Sequence, residues 1–315
     1  HYGFGNMQTE SQVQERERLR PQEIERDEET VLYLRVEAQN MASVPRYAWL
    51  KTPAPNAFHV GTTQLVKYQF MDGKAFYRDG DQVDRVFLIA KLNGLPMQQE
   101  EMAMLLQPGE KAIFDIFLPH RPLTPDCAGA LAAQEFSARC QEVQAFWKEK
   151  LASAAWVALP EKRISEMFNA GLLHLDLVTY GLEPDGVTAP CIGVYCPIGS
   201  ESAPIVQFFD AMGWTKLAER SLEYFIAKQH DDGFMQNFGG YMLETGAALW
   251  SLGEHYRFTR DNAWVRRIAP NLIKACDYLL GWSERNQREE LRGRGFGLLD
   301  GKAADPEDIY HSFML

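Results

Sequence analysis

The spacing of apolar residues changes once along this chain, and that change limits the fold more than any other feature. Up to Pro119 the large side chains alternate, whereas from Leu159 onward they recur every three or four residues. Alternation sends successive side chains to opposite faces of a strand; a spacing of three and four gathers them on one side of a helix. A chain with both patterns, in that order, must hold a sheet-based part followed by a helical part.

The strand pattern is specific. Residues 31–39 read VLYLRVEAQ, with Leu32, Leu34, Val36 and Ala38 alternating against Tyr33, Arg35 and Glu37. Residues 64–70 and 74–77 flank Met71-Asp72-Gly73, a tight-hairpin signal. Residues 83–92 alternate and end at Asn93-Gly94, and residues 111–118 (KAIFDIFL) alternate after the turn Gln107-Pro108-Gly109-Glu110. Short strands joined by Gly, Asn and Asp turns predict an antiparallel β-sandwich over 28–122. Pro119, Pro122 and Pro125 punctuate its exit. A linker follows over 123–158, its residues 130–153 reading as one helix with Phe136, Val143, Phe146, Trp147 and Leu151 as apolar positions. Residues 1–27 are rich in Glu, Arg and Gln and form a polar segment outside the core.

Beyond the linker, residues 164–178, 203–212, 216–229, 245–258 and 263–282 read as helices. Gly213 breaks one pair, and Thr259-Arg260-Asp261-Asn262 breaks another, with Asp261 in the cap position. The remaining connections are long. Alternating short and long connections predict stacked α-hairpins whose long loops collect at one end. Residues Tyr310 to Leu315 read as the start of a further apolar helix.

One long connection carries chemistry. Residues 229–246 read QHDDGFMQNFGGYMLETG, which sets the carboxylates of Asp231, Asp232 and Glu244 beside the rings of Phe234, Phe238 and Tyr241. Carboxylates next to aromatic faces suit a sugar, because acids and bases cleave glycosidic bonds and flat rings stack on pyranoses. Each residue also has a plainer reading. Asp232 fits an Asp-Gly turn. Glu244 and Glu201 fit helix first turns, where negative charge complements the dipole. Tyr195, Trp214, Phe238 and Tyr241 are candidates for stacking on sugar, or else core aromatics. Glu307 and His311 lie in another inter-helix loop that could line the same rim.

Composition narrows the partners. The formal net charge is −11 with no basic stripe, which excludes a nucleic-acid binder of the usual kind. No apolar run approaches the ~20 residues of a membrane helix. Five cysteines stand at irregular spacing, and Cys191 and Cys196 lack the spacing or partners of a zinc site. Free thiols are the expectation, a local 191–196 disulfide being the alternative. No metal and no cofactor is expected.

The order of MGW at 212–214, LEYF at 222–225, KQHDDGF at 228–234, GGYMLE at 239–244, LWSLGEHYRFT at 249–259 and DNAWV through ACDYL at 261–279 resembles the six-hairpin glycosidase superfamily. The resemblance spans about residues 155–315. It implies an (α/α)6 toroid over 159–315 preceded by a β-sandwich, and a glycoside hydrolase acting on an oligosaccharide or glycoside. It implies an inverting mechanism: Glu244 or Glu201 protonates the leaving oxygen while a second carboxylate activates water, the two lying roughly 6.5–9.5 Å apart. Many relatives carry an Arg-Asp pair where this chain has Ser200-Glu201, so Glu201 departs from the pattern. Only the first hairpins of a toroid fall within 159–315. The expectation is therefore a chain that continues beyond Leu315, or one that self-associates through exposed helix flanks. Two other classes stay open: another toroid enzyme, such as a sugar phosphorylase, epimerase or polysaccharide lyase, and a non-catalytic carbohydrate-binding or structural protein. Carboxylate-rich loops would repel a uronate, and the chain lacks a basic glycine loop for phosphate.

Overall fold

The computed structural model describes residues 30–53, 67–78, 83–181, 186–191, 199–235, 244–301 and 312–314. The chain divides into two units, residues 25–146 and residues 147–315 with 1–24. Antiparallel sheets fill most of the first, and helices fill most of the second. The polar segment 1–27 lies outside the described residues.

The first unit holds β1 (Val31–Gln39), β2 (Arg46–Lys51), β3 (Gln69–Met71), β4 (Lys74–Arg78), β5 (Asp84–Leu92), β6 (Leu95–Pro96), β7 (Glu101–Leu106) and β8 (Lys111–Pro119). Six of them make one antiparallel sheet, in the order β1-β8-β5-β4-β3 with β6 on β5. Asp72-Gly73 and Asn93-Gly94 close its two tightest hairpins, with φ of 50° and 70° and of 49° and 81°. Both central residues left-handed is the turn whose twist suits a two-residue hairpin. The strands β2 and β7 pair with each other apart from this sheet.

Both faces of the six-stranded sheet are covered. Ala112, Phe114 and Ile116 of β8 join Leu88 and Ala90 of β5 under Ala48, Leu50, Met102 and Met104 of the β2–β7 pair. On the other face Phe117, Val86 and Ile89 meet Ala128 and Leu131 of α1 (Pro125–Ala132). Asp115 of β8 is therefore buried, and Arg35 forks onto it at 2.6 and 2.8 Å. A carboxylate left unpaired there would be strongly destabilising.

The single linker helix expected over 130–153 is two helices, α1 and α2 (Phe136–Ala152). The sheet holds the break. Lys91 donates to the Gln134 carbonyl at 2.8 Å, the Tyr33 hydroxyl donates to Gln134 Oε1 at 2.6 Å, and the Arg35 guanidinium lies 4.4 Å over the Phe136 ring.

The second unit contains α3 (Lys162–Leu177), a short ribbon of β9 (Thr179–Gly181) and β10 (Thr188–Pro190), then α4 (Gly199–Ala211), α5 (Thr215–Ala227), α6 (Glu244–Thr259) and α7 (Asn262–Arg285). Their apolar faces share one core that includes Leu172, Phe209, Leu222, Phe225, Leu252 and Ile268. Full burial of each large side chain stabilises by about 1.5–3 kcal/mol relative to exposure. Residues 312–314, expected within a helix, are instead β12 (Ser312–Met314), paired with β11 (Leu299–Gly301). Backbone pairing with residues eleven or more positions upstream overrides the local apolar run.

Asp261 caps α7, its Oδ1 accepting from the N–H groups of Ala263 and Trp264 at 2.8 and 2.9 Å. The bond from Trp264 chiefly, with that from Ala263, holds the carboxyl below its ordinary value. A folded-state value below the unfolded one gives stability that is complete above about pH 4 and lost as pH falls through the folded value. Asp261→Asn keeps an acceptor but cannot titrate. Thermal melts from pH 7 to pH 3 should therefore show wild type losing more stability than the variant below about pH 4. Parallel curves would contradict this role for the cap.

Candidate functional site

Short turns after α4 and α6 reverse the chain, so the N-termini of α4 and α6 and the C-termini of α5 and α7 share one end of the helices. Contact at that end is direct. A β-carbon on Gly199, the first residue of α4, would stand 2.6 Å from the Glu244 carbonyl oxygen and 2.9 Å from Glu244 Oε2. Glu244 opens α6 and is fully buried. One carboxylate thus adjoins two helix N-termini, where negative charge is favoured.

The segment after α5 runs along the second half of α7. Gln229 donates to the carbonyls of Gly233 and Asn271, and Asn271 donates back to Gln229 Oε1 at 2.8 Å. Asp232 Oδ1 accepts from the Phe234 N–H at 3.1 Å, the expected Asp-Gly turn. Gly233 has φ of +100° and lies so close to α7 that a β-carbon would stand 2.1 Å from the Lys274 carbonyl oxygen. Met235 N–H then donates to the Thr245 hydroxyl at 3.1 Å, tying the segment to the start of α6.

This docking assembles aromatics and carboxylates. The rings of His230, Phe234, Tyr278 and Trp282 follow one another with centroid separations of 5.4, 5.1 and 5.9 Å. Trp282 Nε1 donates to Asp300 Oδ1 at 3.0 Å, and Asn286 Nδ2 donates to the same oxygen at 2.5 Å. Burial, and next the nearby Asp232 charge, raise the Tyr278 hydroxyl above the ordinary tyrosine value. His230 and Asp232 are exposed, while Phe234, Tyr278, Trp282 and Asp300 are half-buried. The row is therefore partly exposed, its rings packed tilted or edge-on against one another, with Asp232 and Asp300 nearby.

No protein-family model and no curated protein matches this chain. The site rests on its own geometry.

Asp232 lies on the aromatic row. Glu244 lies at the same end of the helices but is sealed from solvent. Glu201 is exposed and stands two residues beyond Gly199, about 200° around α4 from the position that meets Glu244. Trp214 is a core residue of the opposite, short-turn end, packed on Phe209 and donating to the Ser153 hydroxyl at 3.0 Å. Tyr195, Phe238, Tyr241, Glu307 and His311 lie outside the described residues, as does Cys196 of the possible disulfide. Cys191 is buried.

The sequence pattern does not single out Tyr278, Trp282, Asn286 or Asp300. Tyr278 and Trp282 are four apart on α7, a spacing that puts both on one face. Their sequence signal was present but blended with the core periodicity of the helix. Elsewhere in the unit, a groove of about 320 Å³ is lined by Leu151, Ala154, Trp156, Val157, Asn169 and Met212. Near the short-turn end, the Nδ1 of buried His255 lies 2.8 and 3.0 Å from the two carboxylate oxygens of Asp210, and its ring meets Trp264 edge-on. Neither place joins carboxylates to partly exposed aromatic faces. Among the described residues no group of His, Cys, Asp and Glu could hold a metal ion, and no helix is long and apolar enough to cross a membrane.

Proposed function

We propose that the chain acts as a glycoside hydrolase of the six-hairpin type, with its β unit a sandwich and its helical unit built of hairpins of the (α/α)6 toroid kind. The observation that supports this best is the partly exposed row Phe234, Tyr278 and Trp282 with Asp232 and Asp300 beside it. Flat apolar rings take the ring faces of a pyranose, and carboxylates take its hydroxyls or exchange protons with the glycosidic oxygen. In this reading Asp232 and Asp300 are the carboxylates that touch sugar. Glu244, buried where two helices begin, does not touch sugar in this reading. Hydrolysis needs one carboxyl to protonate the leaving oxygen and a second carboxylate to draw a proton from water as it attacks the anomeric carbon. An inverting course follows if a water fits between the two.

A second reading is favoured by the acceptor roles Asp232 and Asp300 already fill, toward the Phe234 N–H and toward Trp282 and Asn286: a carbohydrate-binding protein without turnover. Incubation with neutral oligosaccharides, followed by reducing-end release and proton NMR of the first product anomer, distinguishes them. Release of the inverted anomer supports hydrolysis. Binding with no release supports the second reading, and neither binding nor release would contradict both.

A further inference from the structure

The last turn of α7 does more than end a helix. Trp282 and its C-cap Asn286 are four residues apart, so both side chains leave one face. The indole Nε1 and the amide Nδ2 converge on a single oxygen, Oδ1 of Asp300, at 3.0 and 2.5 Å. Asn286 is buried, and Asp300 is half-buried.

Backbone contacts already lay this stretch on the helix. Asn286 Nδ2 donates to the Leu298 carbonyl at 2.6 Å, and the Asn286 carbonyl accepts from the Gly297 N–H at 3.0 Å. The Ser283 hydroxyl donates to the Gly297 carbonyl at 2.6 Å. The strand β11 then pairs with β12 through backbone groups, Asp300 standing opposite Phe313. None of these bonds needs a carboxylate at position 300, so the two that reach Asp300 are additional. Hydrogen bonds to the charged form of a carboxyl favour that form over the neutral acid. Both of these donors are themselves neutral, so they orient the oxygen without cancelling its charge. A carboxylate kept charged and oriented suits a group that accepts a proton rather than one that supplies it.

We propose that Asp300 is the proton acceptor of the candidate site and that Asn286 is its positioning residue, with Trp282 sharing that role from the aromatic row. The assignment rests on the hydrolase reading. In the step, the oxygen of a water bonds to the anomeric carbon while Asp300 takes one of its protons. The glycosidic C–O bond breaks with its electron pair going to the leaving oxygen, which takes a proton from the second carboxyl of the site.

The test uses the whole chain and a neutral oligosaccharide, with steady-state kinetics in the presence and absence of azide. Azide attacks carbon without giving up a proton, so cleavage by azide needs no proton acceptor. Asn286→Ala should lower kcat by about tenfold to a hundredfold, the worth of one hydrogen bond to a charged group, with KM changed much less. Azide should restore cleavage in this variant and in Asp300→Gly, with a glycosyl azide as product. Trp282→Phe keeps a ring and loses the N–H, and should show the same loss and the same rescue even if Asn286→Ala melts below the assay temperature. A merely structural loss would not respond to azide. Unchanged kcat in Asn286→Ala, or a loss in both variants that azide does not restore, overturns the proposal while wild-type turnover leaves the hydrolase reading standing. Absence of turnover in wild type refutes that reading, and the proposal with it.

Discussion

Gly233→Ala should destabilise the helical unit by on the order of 3 kcal/mol or more. Two costs combine. A non-glycine residue at φ of +100° is strained by roughly 1–3 kcal/mol. A methyl group 2.1 Å from the Lys274 carbonyl oxygen must also push the segment off α7, because the obstacle is backbone. The Gln229–Asn271 bonds and the Phe234–Tyr278 ring contact depend on that docking. For a unit of this size the melting temperature should fall by roughly 10 °C. Gly253→Ala is the control: it lies within α6 with nothing near its missing β-carbon, so alanine should gain up to about 1 kcal/mol in helix propensity. Calorimetric melts of the two variants should move in opposite directions. A Gly233→Ala protein that melts with wild type would refute the tight docking of residues 229–235.

Asp300→Asn should remove most turnover while leaving the fold nearly intact. Asn retains a carbonyl oxygen for Trp282 Nε1 and Asn286 Nδ2, the two donors that meet Asp300 Oδ1. What it loses is the charge and the ability to carry a proton. If Asp300 is one of the two working carboxylates, turnover of a neutral oligosaccharide should fall by about 10²- to 10⁴-fold. Stability should change by about 1 kcal/mol or less, the difference between a charged and a neutral acceptor. Wild-type turnover in the variant would remove Asp300 from the mechanism. Loss of turnover with a large drop in melting temperature would mark it as structural instead.

The sequence announces the elements whose residues obey one period. In β1, β8 and α4 to α7 the apolar spacing and the punctuation at Gly213 and Asp261 agree with the backbone. The strands β2 and β7 escape because RYAWLK and EMAMLL hold no β-branched residue and place large side chains on both faces. Ala133-Gln134-Glu135 favours a helix locally; Lys91, Tyr33 and Arg35, reaching from the sheet, hold the break there. The strand at 312–314 depends wholly on its partner at 299–301. At the candidate site, Asp232 and Phe234 are legible because glycine and carboxylate cluster there. Tyr278 and Trp282 are not, because an aromatic on a helix looks the same whether it faces a core or a ligand. Glu244 is legible as a residue, but its complete burial is set by Gly199, some forty-five positions away.

The central claim is that the row on α7 receives a sugar. Calorimetric titration of a neutral oligosaccharide into wild type and into Trp282→Ala tests it most directly, because binding precedes any chemistry. Trp282 is one of the two half-buried rings that α7 contributes to the row. Its removal should weaken affinity by about tenfold or more while the melting temperature stays high enough to keep the protein folded at 25 °C. Equal affinity in the two proteins, or no heat of binding in wild type with any neutral oligosaccharide, would contradict it.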